Sequence, residues 1–220
     1  MISVHQPHYL PWIGYFDKIK RSDCFVFLDT VQYKKREFQN RNKIRTPNGA
    51  VWLTVPVLTK DHFFQRIADV RINNETDWAR SHWKSIEHNY ARAPFFSAWR
   101  DTFAPVYAST WHTLIDLNIA LITALLAAFR ITVPVIMESS LGIATTSTRR
   151  IIDICKKTGA DTYLSGTGGK DYMDEPLFAD EGIRLEYQRF EHPVYTQAYS
   201  GFVPNMCMLD YLFNCGPTIP

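Results

Sequence analysis

Two histidines, an amide and several aromatic rings crowd the run His5-Gln6-Pro7-His8-Tyr9-Leu10-Pro11-Trp12-Ile13-Gly14-Tyr15-Phe16. Imidazole titrates near neutral pH and is the usual general acid or base, while flat aromatic faces can stack on a sugar or a nucleobase. The apolar stretch Ile2-Ser3-Val4 precedes the run and a helical pattern follows it, so the run is a turn between a first strand and a first helix. Open α/β sheets bind ligands at the carboxyl ends of their strands. That position makes His5 and His8 candidate catalytic bases and Gln6, Tyr9 and Trp12 candidate substrate contacts. The competing reading of Tyr9 and Trp12 is packing against the helix. His5-x-x-His8 also has the form of a metal pair, but no third or fourth ligand stands nearby, and no metal site is expected.

Three further segments could complete a site. Asp29 ends a second apolar run, Cys24–Leu28, where its carboxylate would enter the same crevice as the histidines; the alternative is a turn aspartate. Six cations fall between Lys34 and Arg45. Among them Lys35 and Arg41, with Asn42, are candidates for clamping phosphate or carboxylate, because guanidinium forks and amides supply directed donors; Lys34 and Arg36 are read as exposed. Ser165-Gly166-Thr167-Gly168-Gly169-Lys170 has the composition of an anion-cradling loop after a strand, although it matches neither the Walker A pattern nor GxGxxG. Ser165, Gly166, Thr167 and Lys170 would hold the anion, and Tyr172 would line the pocket. The remaining histidines, His62, His82, His88, His112 and His192, and most tryptophans are read as structural or exposed.

The elements that must position these residues follow from periodicity. Strands are expected near residues 2, 25, 53, 134, 163 and 185, with Pro11–Lys20 and Ser147–Lys157 as helices. Residues 31–46 read as a long active-site loop or lid. Asp77–Phe129 is helical in pattern, two or three helices punctuated by Pro94 and Pro105. The fold class is therefore α/β: one domain over residues 1–220, a three-layer and mostly parallel sheet of Rossmann-like layout, with a helical insert at about 77–130.

The opening His5-Gln6-Pro7-His8-Tyr9-Leu10-Pro11-Trp12 resembles the signature of the WbqC-like protein family. The likeness continues through Phe25–Asp29, Asn40–Ile44, Trp52–Pro56, Tyr163–Gly166 and Leu209–Asn214, nearly the whole chain. The resemblance implies a setting in bacterial surface-polysaccharide and O-antigen biosynthesis more firmly than it implies a reaction. The layout is also similar to the opening βαβ unit of HIGH-motif nucleotidylyltransferases. Their His-x-Gly-His frame reads Trp12-Ile13-Gly14-Tyr15 here, keeping the glycine and lacking both histidines.

Bulk properties exclude some classes. A formal charge of +2 over 220 residues leaves no global footprint for nucleic acid or an anionic membrane. The most apolar stretch, Leu114–Phe129, holds Asp116 and Asn118 and is too short to span a bilayer. No signal peptide is read, and four scattered cysteines without a CxxC pair suit reduced thiols, so a cytoplasmic protein is expected. The reading is a transferase moving an acyl, aminoacyl or nucleotidyl group to or from a phosphate-bearing, sugar-linked small molecule. Nucleotidyl transfer would bring a nucleotide with Mg2+; acyl transfer would not. The alternatives are a non-catalytic glycan-precursor binding protein and a divergent nucleotidylyltransferase.

Overall fold

In the computed structural model, which describes residues 1–60 and 64–219, strands β1 (Ile2–His5) and β2 (Cys24–Phe27) pair in parallel with His5 opposite Phe27. Side chains alternate across a strand, so both faces are apolar here. On one face Ile2, Val4 and Val26 join Ile151, Ile152, Ile154, Cys155 and Phe178 in a buried cluster. On the other, Phe25 lies 5.5 Å from the ring of Tyr15 in helix α1 (Ile13–Lys20) and 5.1 Å from that of Phe27. A strand buried on both faces belongs in a parallel sheet with helices above and below.

The sheet has five strands in the order β5-β2-β1-β6-β7, each pair parallel, with β5 at Val135–Met137, β6 at Thr162–Ser165 and β7 at Arg184–Tyr187. Helix α5 (Ser147–Thr158) carries Ile151, Ile152, Ile154 and Cys155 on its inner stripe and ends where Gly159 takes the left-handed conformation at φ 70°. Helix α6 (Glu175–Asp180) follows, with the Asp174 side chain accepting from the Leu177 N–H. The expected α/β, mostly parallel, Rossmann-like layer plan is what the chain adopts. From β1 the chain winds one way through β2 to β5, then resumes on the other side of β1 with β6 and β7. The order therefore reverses between β1 and β6, the topological switch point where such sheets bind ligands.

These elements form one compact unit, made of Met1–Gln6, Gly14–Val31 and Thr132–Glu191. A second unit takes Pro7–Ile13, Gln32–Ile131 and the chain from His192 onward. It holds an antiparallel hairpin, β3 (Arg41–Thr46) with β4 (Gly49–Thr54), and helices α2 (Trp78–Tyr90), α3 (Phe96–Ala108), α4 (Leu114–Ala128) and α7 (Met208–Cys215). Phe213 of α7 packs against Tyr90, Phe96 and Phe103, with ring centroids 5.1–6.3 Å apart.

Three expectations need correction. The strand near residue 53 joins a two-stranded sheet rather than the parallel one, because its register partner is Arg41–Thr46. Residues 31–46 are accordingly not one long lid. In Arg41-Asn42-Lys43-Ile44 the buried positions are Asn42 and Ile44, so the two-residue period was hidden under charge. Pro105 lies inside α3 instead of breaking it. Among the described residues no helix is long and apolar enough to cross a membrane, and all four cysteines are free thiols.

Candidate functional site

His5 is the last residue of β1 and is half-buried. Its Nδ1 lies 3.1 Å from the Gln6 carbonyl. A carbonyl can only accept, so Nδ1 is the donor of this bond. The ring edge meets Tyr15 at 4.8 Å, and Tyr15 donates its hydroxyl to the same Gln6 carbonyl at 3.0 Å. Backbone and aromatic contacts thus orient the imidazole at the strand end.

Across the switch point stands the glycine-rich turn. β6 pairs in parallel with β1, Tyr163 with Ile2 and Leu164 with Ser3, so both strands end at the same edge of the sheet. Neighbouring strands lie roughly 5 Å apart. Ser165 is buried and donates its hydroxyl to the Gly166 carbonyl at 3.1 Å. Residues Thr167–Asp171 coil into a single 3₁₀ turn, not the start of a long helix. A Cβ on Gly169 would sit 2.0 Å from the Ser165 Oγ, so any larger residue forces that hydroxyl to move. Thr167 and Lys170 are exposed, with the Lys170 Nζ 5.2 Å from the ring of Tyr187. Tyr172 is 70% exposed and projects from the turn rather than lining an enclosed pocket.

Asp29 follows β2 as expected. It is buried, and its Oδ1 accepts the Ser139 backbone N–H at 2.9 Å, tying the β2 end to the β5 end. Beside it is a polar cluster that the sequence reading missed. The Glu138 side chain is fully buried; its Oε2 accepts from the Thr30 hydroxyl at 2.7 Å, and its Oε1 lies 3.4 Å from the Arg150 Nε. Arg150 also reaches the Thr30 hydroxyl at 3.3 Å. Glu138 follows β5 as Asp29 follows β2, so the same strand-end argument would have found it. Arg150 was read only as part of a helix. Gln188, just past β7, donates to the Gly14 carbonyl at 2.8 Å and to Asp17 at 2.7 Å.

The signature continues in the second unit, where most of its residues build structure. Tyr9 is fully buried, its hydroxyl 2.9 Å from the His82 Nδ1 and 2.8 Å from the Tyr107 hydroxyl. Burial pushes the Tyr9 hydroxyl pKa well above its ordinary value and lowers that of His82 to about 4. Leu10 holds a left-handed φ of 45°, and its carbonyl accepts from Asn42 Nδ2 at 2.7 Å. Asn42 thus clamps the turn. Asn118 binds the Pro7 and Gln39 carbonyls at 3.1 and 2.8 Å and fixes the other side. His8 and Trp12 are half-buried: the ring of His8 lies 5.8 Å from Phe38, and Trp12 stacks on His192 at 6.1 Å and 12°.

Arg41 and Lys35 line a cavity of about 250 Å3 in the second unit, with Arg41 stacked on Trp52 at 4.3 Å. His62 lies outside the described residues. Among the described residues, no group of three or more His, Cys, Asp or Glu is placed to hold a metal ion.

The WbqC-like protein family matches residues 6–219. The chain is 36% identical over 221 residues to the uncharacterized protein Rv1507c of Mycobacterium tuberculosis (strain ATCC 25618 / H37Rv), covering 100% of this chain and 95% of that protein. No solved structure matches the chain. The chain belongs to the WbqC-like protein family.

Proposed function

We propose that this WbqC-like protein is a group transferase, acting in the cytoplasm on an activated, nucleotide-linked sugar or related small molecule of surface-polysaccharide biosynthesis. One observation carries the reading: strand order reverses between β1 and β6, so an oriented histidine and a glycine-rich turn share the ligand-binding edge of a parallel sheet. His5 Nε2 takes the proton of an acceptor amine or hydroxyl as that atom's lone pair attacks the acyl carbonyl carbon or the phosphorus. The leaving group departs with the bonding pair. Lys170 and the Ser165–Gly169 backbone offset the negative charge that builds up, the effect that usually contributes most to such transfers. His8 is the alternative base. Glu138 and Arg150 hold the β2 and β5 ends in place for the acceptor.

The engagement of Asp29 by Ser139 N–H favours a second reading, a binding protein for a glycan precursor, since one of the three expected catalytic groups is occupied in structure. One experiment separates the two. The protein is incubated with a bacterial nucleotide-sugar extract, and both the bound fraction and the remaining pool are read by mass spectrometry. Transfer predicts consumption of one nucleotide-linked sugar and a new product, lost in His5→Ala. A magnesium-dependent reaction releasing pyrophosphate identifies nucleotidyl transfer. Retention of an unchanged compound supports the binding protein. If His5→Ala and His8→Ala both turn over like the wild type, the base assignment is wrong.

A further inference from the structure

Beyond the transferase reading, and resting on none of its residues, we propose that strand β4 is a dimer interface. Its outer edge pairs with β4 of a second copy of this chain, antiparallel about a two-fold axis at Val51. An unpaired strand edge is a template for another strand, so proteins blunt their edges with charge, proline, shortness or a covering segment. The other three sheet edges among the described residues are blunted in these ways. β5 has three residues and follows Pro134. β7 carries Arg184 and Glu186. The outer side of β3 is occupied: the Lys43 carbonyl accepts the Cys207 N–H at 2.9 Å, and the Arg45 N–H donates to the Tyr90 hydroxyl at 2.9 Å. β4, Gly49-Ala50-Val51-Trp52-Leu53-Thr54, has neither charge nor proline, and Ala50, Val51 and Trp52 are exposed.

The backbone groups of β4 alternate between β3 and the outside. The Val55 N–H donates to the Asn40 carbonyl at 2.8 Å, continuing the ladder beyond Asn42 and Leu53. By the same alternation Val51 and Leu53 bond β3, while Ala50, Trp52 and Thr54 face outward. The His82 ring closes the edge at the Thr54 carbonyl. The N–H and C=O groups of Ala50 and Trp52 stay open, with no backbone partner among the described residues. These groups match one another. With Val51 on the axis, Ala50 of one copy stands opposite Trp52 of the other, and each such pair exchanges both of its bonds. An axis at Trp52 would instead set Ala50 against Thr54, whose carbonyl is engaged, and an axis at Ala50 would set Trp52 against the turn residue Asn48. The side chains agree with the same register. Ala50 leaves room beside the indole of the second copy, and the two Val51 side chains, each 44% exposed, meet where Cα atoms lie about 4.5 Å apart. Charge does not oppose the pairing: Lys43, 5.6 Å from the Trp52 ring, lies three strand spacings, roughly 14 Å, from Arg45 of the second copy, beyond the screening length at physiological salt. An edge this short buries less than the roughly 1,200 Å2 of a standard interface, which makes the dimer reversible.

Sedimentation equilibrium of the whole chain tests the dimer between about 1 and 500 μM, where the mass should climb from 25.5 kDa toward twice that value. Val51→Lys and Val51→Glu each set like charges face to face across the axis and should weaken association about fivefold, while an equimolar mixture of the two regains it. Val51 is exposed, so both variants keep the fold, which thermal melting by circular dichroism checks. Under mild oxidation Val51→Cys should give a covalent dimer on a non-reducing gel, because thiols paired on the axis lie within disulfide reach. Ala50→Cys, which faces Trp52 of the second copy, and the wild type with its four native thiols should not. A mass of 25.5 kDa at every concentration overturns the dimer and leaves the edge to a strand from another protein. Equal cross-linking of Ala50→Cys and Val51→Cys, or no recovery in the mixture, overturns the pairing about Val51. None of these results touches the transferase reading.

Discussion

Each unit buries an ionisable side chain, and the two are treated in opposite ways. In the second unit Asp210 is fully buried, yet its carboxylate accepts from the hydroxyls of Tyr90 and Tyr195, both at 2.7 Å, and from Gln197 Nε2 at 2.9 Å. In the first unit Lys18 is buried beside Phe25 and donates to a single backbone oxygen, Val4 O, at 3.1 Å. Burial lowers the Lys18 pKa to about 7 from 10.5. Burial also raises that of Asp210, with the three donors and Arg45 pulling it back. Satisfaction, not depth, separates a buried charge that specifies structure from one that strains it. Lys18 holds the carbonyl of the residue before His5, so the poorly supported charge sits behind the strand that carries the proposed base.

The largest expected effect probes the well-satisfied side. Asp210→Ala strands three buried donors and should destabilise the protein by about 3–5 kcal/mol in urea unfolding. A loss no greater than that of an exposed aspartate would break the comparison.

Lys18→Met is expected to act the other way, stabilising by about 3 kcal/mol at neutral pH, since a thioether of similar length needs no hydration. Its pH dependence provides an independent check. The folded state binds the Lys18 proton less tightly than the unfolded chain, whose value is 10.5. Stability from this group is therefore lowest below pH 7 and recovers as pH rises from 7 toward 10. Above pH 10 the buried tyrosines, whose hydroxyls are pushed up by burial, turn the curve down. A wild-type curve of melting temperature without the rise between pH 7 and 10, or one unchanged by Lys18→Met, would show that the lysine is hydrated.

His82 sharpens the contrast within the second unit. Its folded pKa is about 4 against 6.5 for the free side chain, so stability is intact above pH 6.5 and falls as pH drops toward 4, by about 3 kcal/mol in all. His82→Gln keeps a partner for the Tyr9 hydroxyl without a titrating proton and should flatten that acid limb in a melting-temperature series.

The smallest stability effect belongs to the sheet edge of the first unit. Gly169→Ala forces a methyl into the Ser165 Oγ and should cost about 1–3 kcal/mol, while any transfer activity falls further than stability does. Ser165→Ala in the same chain removes the oxygen 2.0 Å from that methyl and should restore part of the loss. Without such recovery, the tight packing of the turn is not what glycine provides there.

Much of the scaffold was legible from local pattern. Cys24–Phe27 is an apolar run of buried-strand length, Ser147–Thr158 repeats its isoleucines at helical spacing before a glycine, and Trp78–Ala128 shows the periodicity of helices. These are statements about neighbours in the chain, and backbone sterics and burial act on neighbours directly. The site was legible in part. That His5 ends the first strand and that the glycine-rich turn follows β6 could be read because strand ends are visible in sequence. The hydrogen bonds of Tyr9 and Asn42 could not be read, because their partners, His82, Tyr107 and Leu10, are supplied by distant residues or by a backbone carbonyl.

By itself the sequence settled that this is an α/β protein whose first strand ends in a histidine-bearing turn. Tertiary structure alone decided that β6 lies against β1, that Arg41–Thr46 takes residues 49–54 away from the main sheet, and that Glu138, Thr30 and Arg150 meet. The reason is physical. An element's type follows from interactions a few residues long, whereas its partner is chosen by which buried faces and polar groups can be matched across the whole chain, and no local pattern carries that information.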